Sequence, residues 1–105
     1  MIIIEQDLIL NKIHEIGLKP DMYLGKKSIS RLHMYIAGYL HRQYEIDCTF
    51  RTKFEAFSDY VNEYYKTKSN AAGWEHVIKL HENDEEEAFK KFYELFYIFI
   101  NSLNT

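Results

Sequence analysis

Five histidines are the residues in this 105-residue chain best suited to acid–base or metal chemistry. They are His14, His33, His41, His76 and His81. Two imidazoles on one helix reach the same metal ion when they are three or four residues apart, and no two of these histidines have that spacing. We therefore predict neither a metal site nor a cofactor site, and we expect each ring to lie at the surface or at the rim of the core.

Nucleophilic and ribonuclease-type reactions are the other catalytic possibilities. The serines lack the glycine-flanked turn that presents a nucleophile to substrate. A helical ribonuclease with an arginine–histidine pair would need two such residues to face each other. His41 and Arg42 are adjacent in the chain, and adjacent residues on a helix point in different directions. The sequence therefore predicts that the protein is not an enzyme.

The densest charge in the chain is an acidic run at residues 82–87, where five of six residues are Asp or Glu. Carboxylates in the first turn of a helix stabilise its free amides and its dipole, so helix capping explains part of the run. The remaining charge favours an acidic patch that docks against a basic groove of another macromolecule. The sequence leaves both interpretations open.

The candidate partner-binding residues are four carboxylates of the acidic run, two flanking carboxylates and two aromatic anchors: Asp84, Glu85, Glu86, Glu87, Glu82, Asp47, Tyr23 and Trp74. Each aromatic residue also has a simpler explanation as part of the core. A basic cluster of Lys26, Lys27 and Arg31 lies at the start of a predicted helix, where free amides could hold a phosphate. A solvated loop is the alternative interpretation of that cluster.

These residues must be positioned by one helical domain over residues 1–105, because a chain of this length closes a single core. Hydrophobic residues make up 47% of the chain and aromatic residues 16%, which excludes disorder. Apolar and polar residues nowhere alternate over a long enough stretch to predict a strand. Met1–Ile4 could form one only by pairing with the edge of an existing sheet. The predicted fold class is all-α, a compact bundle of four to five helices. The apolar spacing places them at about 5–16, 30–45, 54–65, 70–81 and 85–103.

The segment from Gly17 to Gly25 interrupts the helical pattern. We expect Gly17 to adopt the left-handed conformation just past the first helix, Pro20 to force a turn, and Gly25 to permit the exit from it. Ser28 or Ser30 would then cap the next helix. Met22 and Tyr23 lie inside the turn, and we expect both side chains to pack into the core.

Charge and cysteine content restrict the compartment and the partner. Residues 1–53 carry eight Lys/Arg against six Asp/Glu, whereas residues 54–105 carry five against ten. The acidic second half argues against general binding of nucleic-acid backbones and permits a basic protein partner. The single Cys48 excludes an internal disulfide, and we find no signal-peptide pattern or apolar run of membrane length. We therefore expect a cytoplasmic protein without membrane contact.

The heptapeptide from Lys19 to Gly25, Lys-Pro-Asp-Met-Tyr-Leu-Gly, resembles a segment of type II topoisomerase ATPase domains. The chain is far shorter than those domains and has none of their general base, metal-binding asparagine or glycine-rich phosphate motifs. We reject ATPase function and interpret the heptapeptide as a structural loop, in which Pro20 fixes the turn and Gly25 permits the exit from it.

A longer pattern spans most of the chain. It runs Lys-Pro-x-Met-Tyr-Leu-Gly-Lys-Lys-Ser-Ile-x-x-Leu, then Gly38-Tyr39, Phe57, Tyr60-Val61, Trp74 and a closing Glu-Glu-Ala-Phe…Phe-Tyr-Glu-Leu. This pattern resembles small standalone bacterial immunity proteins of contact-dependent growth-inhibition and polymorphic toxin systems. The resemblance implies a cytosolic protein that binds and neutralises one cognate toxin, often a nuclease, by stoichiometric occlusion. It implies no transferable site residues, because such proteins recognise different toxins through different surfaces.

Two functional hypotheses follow. In the first, the chain is an immunity protein whose acidic run meets the basic groove of a nuclease toxin. In the second, it is a small helical nucleic-acid-binding or RNA-processing protein that uses Lys26, Lys27 and Arg31 as a phosphate site.

Overall fold

The computed structural model describes residues 7–67 and 73–103, and all regular secondary structure in these two ranges is helical. Six α-helices and one 3-10 helix lie in the described residues: α1 (Leu8–Leu18), α2 (Pro20–Leu24), α3 (Ile29–Ile46), the 3-10 helix (Lys53–Ala56), α4 (Phe57–Tyr65), α5 (Trp74–His81) and α6 (Glu85–Leu103). The all-α prediction is confirmed, and α2 is a short helix inside the predicted turn. The possible strand at Met1–Ile4 and the predicted start of a helix near residue 70 lie outside the described residues.

The junction of α1 and α2 differs from the sequence prediction in two ways. Gly17 lies within α1, where an added Cβ would be 2.6 Å from Cε1 of Tyr93 on α6. Close approach of two helices therefore requires this glycine, not a left-handed backbone. Gly25 does have a left-handed φ of 83° after α2, as predicted. The second difference is Met22, which is 65% exposed because α2 buries Leu24 and turns the opposite side to solvent.

The long helix α6 lies at the centre of the bundle and packs against α3, α4 and α5. Its Phe92 and Phe96 are fully buried, and the ring of Phe92 lies 5.2 Å from that of Phe57 on α4. Trp74, the first residue of α5, places its ring 4.8 Å from Phe92. Tilted and edge-to-face aromatic pairs of this kind stabilise a core beyond simple burial. No helix within the described ranges combines the length and apolar content needed to cross a bilayer.

Polar side chains cap the N-terminal ends of α3 and α1. Of the two serines that the sequence offers as the cap of α3, Ser28 forms it, and its hydroxyl accepts the backbone N–H of Arg31 at 3.2 Å. At α1, Oδ1 of Asp7 accepts the N–H of Leu10 at 3.0 Å and the hydroxyl of Thr52 at 2.8 Å. One carboxylate therefore begins α1 and holds it against the start of the 3-10 helix.

Candidate partner-binding surface

The acidic turn, which we define as residues 82–87, joins α5 to the first turn of α6. Asp84 caps α6, since its Oδ1 accepts the N–H of Glu87 at 2.8 Å and its carbonyl accepts the N–H of Ala88 at 2.9 Å. The capping interpretation is therefore correct for this residue. Its side chain remains at the surface of the molecule, so capping does not remove it from contact with a partner.

Glu85 is the member of the acidic turn that faces inward. Its Oε1 accepts the hydroxyl of Ser28 at 2.7 Å and the backbone N–H of Ser30 at 2.9 Å, and its Oε2 accepts the hydroxyl of Ser30 at 2.8 Å. Burial alone would raise the pKa of Glu85. The hydrogen bonds from both serines and the charge of Lys79, 3.6 Å away, outweigh burial and lower the pKa to about 2. At neutral pH Glu85 is therefore an anion that joins α6 to the start of α3.

Glu86 and Glu87 point outward on the first turn of α6. Their side chains are more than half exposed, and each approaches Lys90, at 3.6 and 3.8 Å respectively. Exposed ion pairs on one helix are worth little, so a partner's cation can replace Lys90 at small cost. Glu82, the C-cap of α5, is half-buried. The outward charge of the turn therefore rests mainly on Asp84, Glu86 and Glu87.

The start of α3 was the predicted phosphate site, and an internal anion already fills it. The amide of Ser30 is bound by Glu85, and the amide of Arg31 is bound by the Ser28 hydroxyl. The guanidinium of Arg31 donates to the carbonyl of Leu24 at 2.8 Å. These contacts use the groups that a bound phosphate would need, and they leave the lysines of the predicted cluster exposed in the loop.

An open groove of about 530 Å³ lies between α2 and α3, and we call it the α2–α3 groove. Its lining is mostly apolar and consists of Tyr23, Leu24, Ser30, Arg31, Met34 and Tyr35. Met34 is 70% exposed, although it is a large apolar residue. Tyrosine, methionine and arginine are the residue types enriched at protein interfaces. The predicted anchor Tyr23 thus lies in a surface with the composition of a binding site.

Several contacts hold Tyr23 in place at the groove. Its hydroxyl donates to Glu15 at 3.0 Å, and this hydrogen bond raises the pKa of Tyr23. Its ring meets the ring of Tyr35 edge to face at 5.9 Å, and Nζ of Lys12 lies 5.3 Å from its centroid. Because Ser30 both lines the groove and binds Glu85, the groove and the acidic turn adjoin one another.

The two remaining predicted residues lie elsewhere. Trp74 is 7% exposed and belongs to the core, so it offers no ring to a partner. Asp47 caps the C-terminal end of α3, and the amide and hydroxyl of Thr49 bind its carboxylate at 2.9 and 2.6 Å. These hydrogen bonds lower the pKa of Asp47, which remains exposed. Neither Trp74 nor Asp47 therefore forms a common surface with the acidic turn.

The sequence analysis missed an acidic row along the 3-10 helix and α4. Glu55, Asp59 and Glu63 follow at intervals of four residues, and all three are exposed. Residues four apart lie on the same side of a helix, so this spacing was the available signal. Three uncharged residues separate each carboxylate of the row from the next in the sequence, so the row is less conspicuous than a continuous acidic run.

The histidines are dispersed over the fold. His33 lies 3.8 Å from a carboxylate oxygen of Glu75, while the ring of His81 stacks on Tyr65 at 4.0 Å. His14 bonds a tyrosine hydroxyl on α6 through Nδ1 at 2.9 Å. Within the described ranges, no group of three or more His, Cys, Asp or Glu residues is arranged to hold a metal ion.

No protein-family model, curated protein or solved structure matches this chain. On the part of the surface that the structure describes, the acidic turn and the α2–α3 groove meet at Ser30.

Proposed function

We propose that this chain is an immunity protein that binds and neutralises a cognate bacterial toxin by stoichiometric occlusion. The proposed toxin is a nuclease domain of a contact-dependent growth-inhibition system. The observation that carries the proposal is the group of outward carboxylates on the acidic turn, Asp84, Glu86 and Glu87, beside an apolar groove. The resemblance of the sequence to small immunity proteins supports the same class.

The chemistry of a nuclease suits this surface. A nuclease groove is lined with cations because it binds a phosphate backbone, and a rigid set of carboxylates can occupy the same positions. Opposite charge also accelerates the encounter of the two proteins, which an inhibitor needs to act before its toxin does. Since Asp84 begins α6 and Glu86 and Glu87 extend from its first turn, the helix presents all three on one rigid element.

The alternative function is a small nucleic-acid-binding or RNA-processing protein built on Lys26, Lys27 and Arg31. The geometry supports it less well, because Glu85 and the carbonyl of Leu24 already bind the groups that a phosphate would use. Incubation of the purified chain with RNA tests it directly. A gel shift or cleavage without any partner would favour this alternative over an immunity protein.

The gene directly upstream identifies the partner to be used in the main experiment. We expect it to encode a large secreted protein with a variable, toxic C-terminal domain. Co-expression of this chain should restore growth of cells that produce that domain, and the purified pair should form a stable complex of fixed stoichiometry. A metabolic gene in that position, or a toxin that remains active in the presence of this chain, would contradict the proposal.

The contribution of the acidic turn is tested by charge reversal. The double variant Glu86→Lys/Glu87→Lys should lower the association rate constant about 10-fold and weaken its dependence on salt. Both side chains are exposed, so the variant should remain folded. The matched control is Glu45→Lys/Glu94→Lys, which makes the same charge change on α3 and farther along α6. Equal slowing by the two variants would show that net charge, not the acidic turn, steers the toxin.

A further inference from the structure

The hydroxyl of Tyr65, the last residue of α4, is a buried polar group without a hydrogen bond. Its oxygen is shielded from solvent and has no hydrogen-bond partner within residues 7–67 and 73–103. The ring is held by His81 of α5, which stacks on it with centroids 4.0 Å apart and planes 15° from parallel. Buried hydroxyls are almost always bonded, because burial removes the water that they would otherwise bind. Tyr65 therefore requires an acceptor close to its present position.

Three side chains contact Tyr65 or act on it electrostatically, and one of them can accept its proton: Lys91, His81 and Glu82. The ammonium of Lys91 has only donors, and it already donates to the hydroxyl of Tyr64 at 3.3 Å. Because the ring of His81 stacks on that of Tyr65, the imidazole nitrogens point sideways in their own plane and not towards the hydroxyl. The remaining acceptor is the carboxylate of Glu82, which follows the last turn of α5.

The pKa of Tyr65 indicates that Glu82 lies near the hydroxyl. Burial raises the pKa of Tyr65, and the Glu82 carboxylate adds to the rise through its charge and as an acceptor, so that the pKa reaches about 12. The two groups nevertheless do not meet in ordinary hydrogen-bond geometry. Glu82 is half-buried at the end of its helix, so its side chain can rotate to the hydroxyl without opening the core.

We propose that Tyr65 is a positioning residue for the acidic turn, whose hydroxyl donates a hydrogen bond to the carboxylate of Glu82 and thereby fixes the start of the turn to α4. Glu85 already fixes a later part of the turn to Ser30 on α3. Asp84 lies between these two attachments. A surface that is ordered before binding loses less entropy when a partner binds. The consequence for the partner rests on the proposed function, whereas the hydrogen bond is a property of this chain alone.

A double-mutant cycle in urea tests the hydrogen bond without any partner. Tyr65→Phe should raise the unfolding equilibrium constant about 5-fold in the wild-type background and leave it nearly unchanged in the Glu82→Ala background, where the acceptor is missing. Tyr64→Phe is the matched control, because the hydroxyl of Tyr64 bonds Lys91. Its effect should be the same in both backgrounds. Circular dichroism establishes that all variants are folded.

Nuclear magnetic resonance gives a readout that ring packing alone would not change. A hydroxyl proton that is bonded to a carboxylate and shielded from solvent exchanges slowly, so Tyr65 should give its own hydroxyl resonance in the wild type. Glu82→Ala should abolish that resonance, and Tyr64→Phe should leave it. In Tyr65→Phe, which keeps the ring, the amides of Asn83 and Asp84 should exchange with solvent about 5-fold faster because the start of the turn is released.

Three results would each overturn the proposal: equal effects of Tyr65→Phe in the two backgrounds, a hydroxyl resonance that survives Glu82→Ala, or unchanged amide exchange in the turn. The toxin complex separates this inference from the proposed function. A toxin that this chain does not bind, with the coupling between Tyr65 and Glu82 intact, contradicts the immunity function alone. A neutralised toxin without that coupling contradicts the positioning role alone.

Discussion

The acidic turn and the α2–α3 groove adjoin one another, but the fold uses them very differently. In the acidic turn, Asp84 caps α6 and Glu85 binds α3, so much of its charge stabilises the bundle itself. In the groove, Met34 stays exposed and contributes little to the core. The density of a residue type in the sequence therefore does not measure its availability to a partner. Exposure after folding, and the contacts already made, measure that availability.

The largest expected effect separates the two aromatic residues that the sequence proposed as anchors. Trp74→Ala removes a ring from the core and should lower the free energy of unfolding by about 3–5 kcal/mol. Tyr23→Ala removes a half-buried ring at the groove and should lower it by about 1 kcal/mol. Urea denaturation of both variants measures the difference. If Tyr23→Ala destabilises the protein as much as Trp74→Ala, the groove is part of the core and the comparison fails.

A smaller effect should distinguish two adjacent carboxylates of the acidic turn. Glu85→Ala leaves the Ser28 hydroxyl and the Ser30 amide without their acceptor, and should cost about 1–2 kcal/mol of unfolding free energy. Glu86→Ala removes only an exposed ion pair and should cost less than about 0.5 kcal/mol. Thermal or urea unfolding of the two variants measures the difference in their unfolding free energies. Similar costs for the two variants would show that Glu85 does not join α6 to α3.

The smallest expected effect is the pH dependence that Glu85 confers. Its pKa in the folded protein, about 2, is lower than the ordinary glutamate value near 4.5. A lowered pKa adds stability above the unfolded-state value, and this stability is lost as the pH falls from about 5 towards 2. Because the side chain is 42% exposed and stays a hydrogen-bond acceptor when protonated, the loss should be below about 1 kcal/mol.

Glu85→Gln is the variant that isolates this contribution. It keeps the shape and one acceptor oxygen but cannot titrate, so its stability should fall less between pH 5 and 2 than that of the wild type. Urea midpoints at several pH values measure the two slopes. Parallel slopes would assign the acid sensitivity to other carboxylates. Glu86→Gln, in which an exposed carboxylate is removed, serves as the control.

Most of the fold was predictable from the sequence, whereas the surface was predictable only in part. The apolar spacing located the long closing helix at 85–103, and the structure has it at Glu85–Leu103. The cap of α3 was narrowed to Ser28 or Ser30, and Ser28 forms it, since capping depends on a few neighbouring residues. The role of Gly17 was predicted wrongly, because the residue that requires a glycine there is Tyr93, whose ring packs against α1 from a helix far away in the chain.

The candidate site shows the same division. Tyr23 lines the α2–α3 groove, but nothing in its neighbourhood in the sequence predicts that Met34 and Tyr35 complete the groove with it. Met22 was expected in the core and is exposed, because five residues of α2 have only one buried side. The sequence likewise did not predict the hydrogen bond between Ser30 and Glu85, since the two residues are 55 positions apart in the chain.

The sequence by itself determined that the chain forms amphipathic helices, where most of them end, and that one charged turn precedes the last of them. Those properties depend on propensities and spacings over a few residues. Only the tertiary structure decided which carboxylates of that turn face a partner and where apolar surface remains uncovered. Both outcomes depend on which helices meet, and a helix cannot specify from its own residues which neighbour will cover each of its faces.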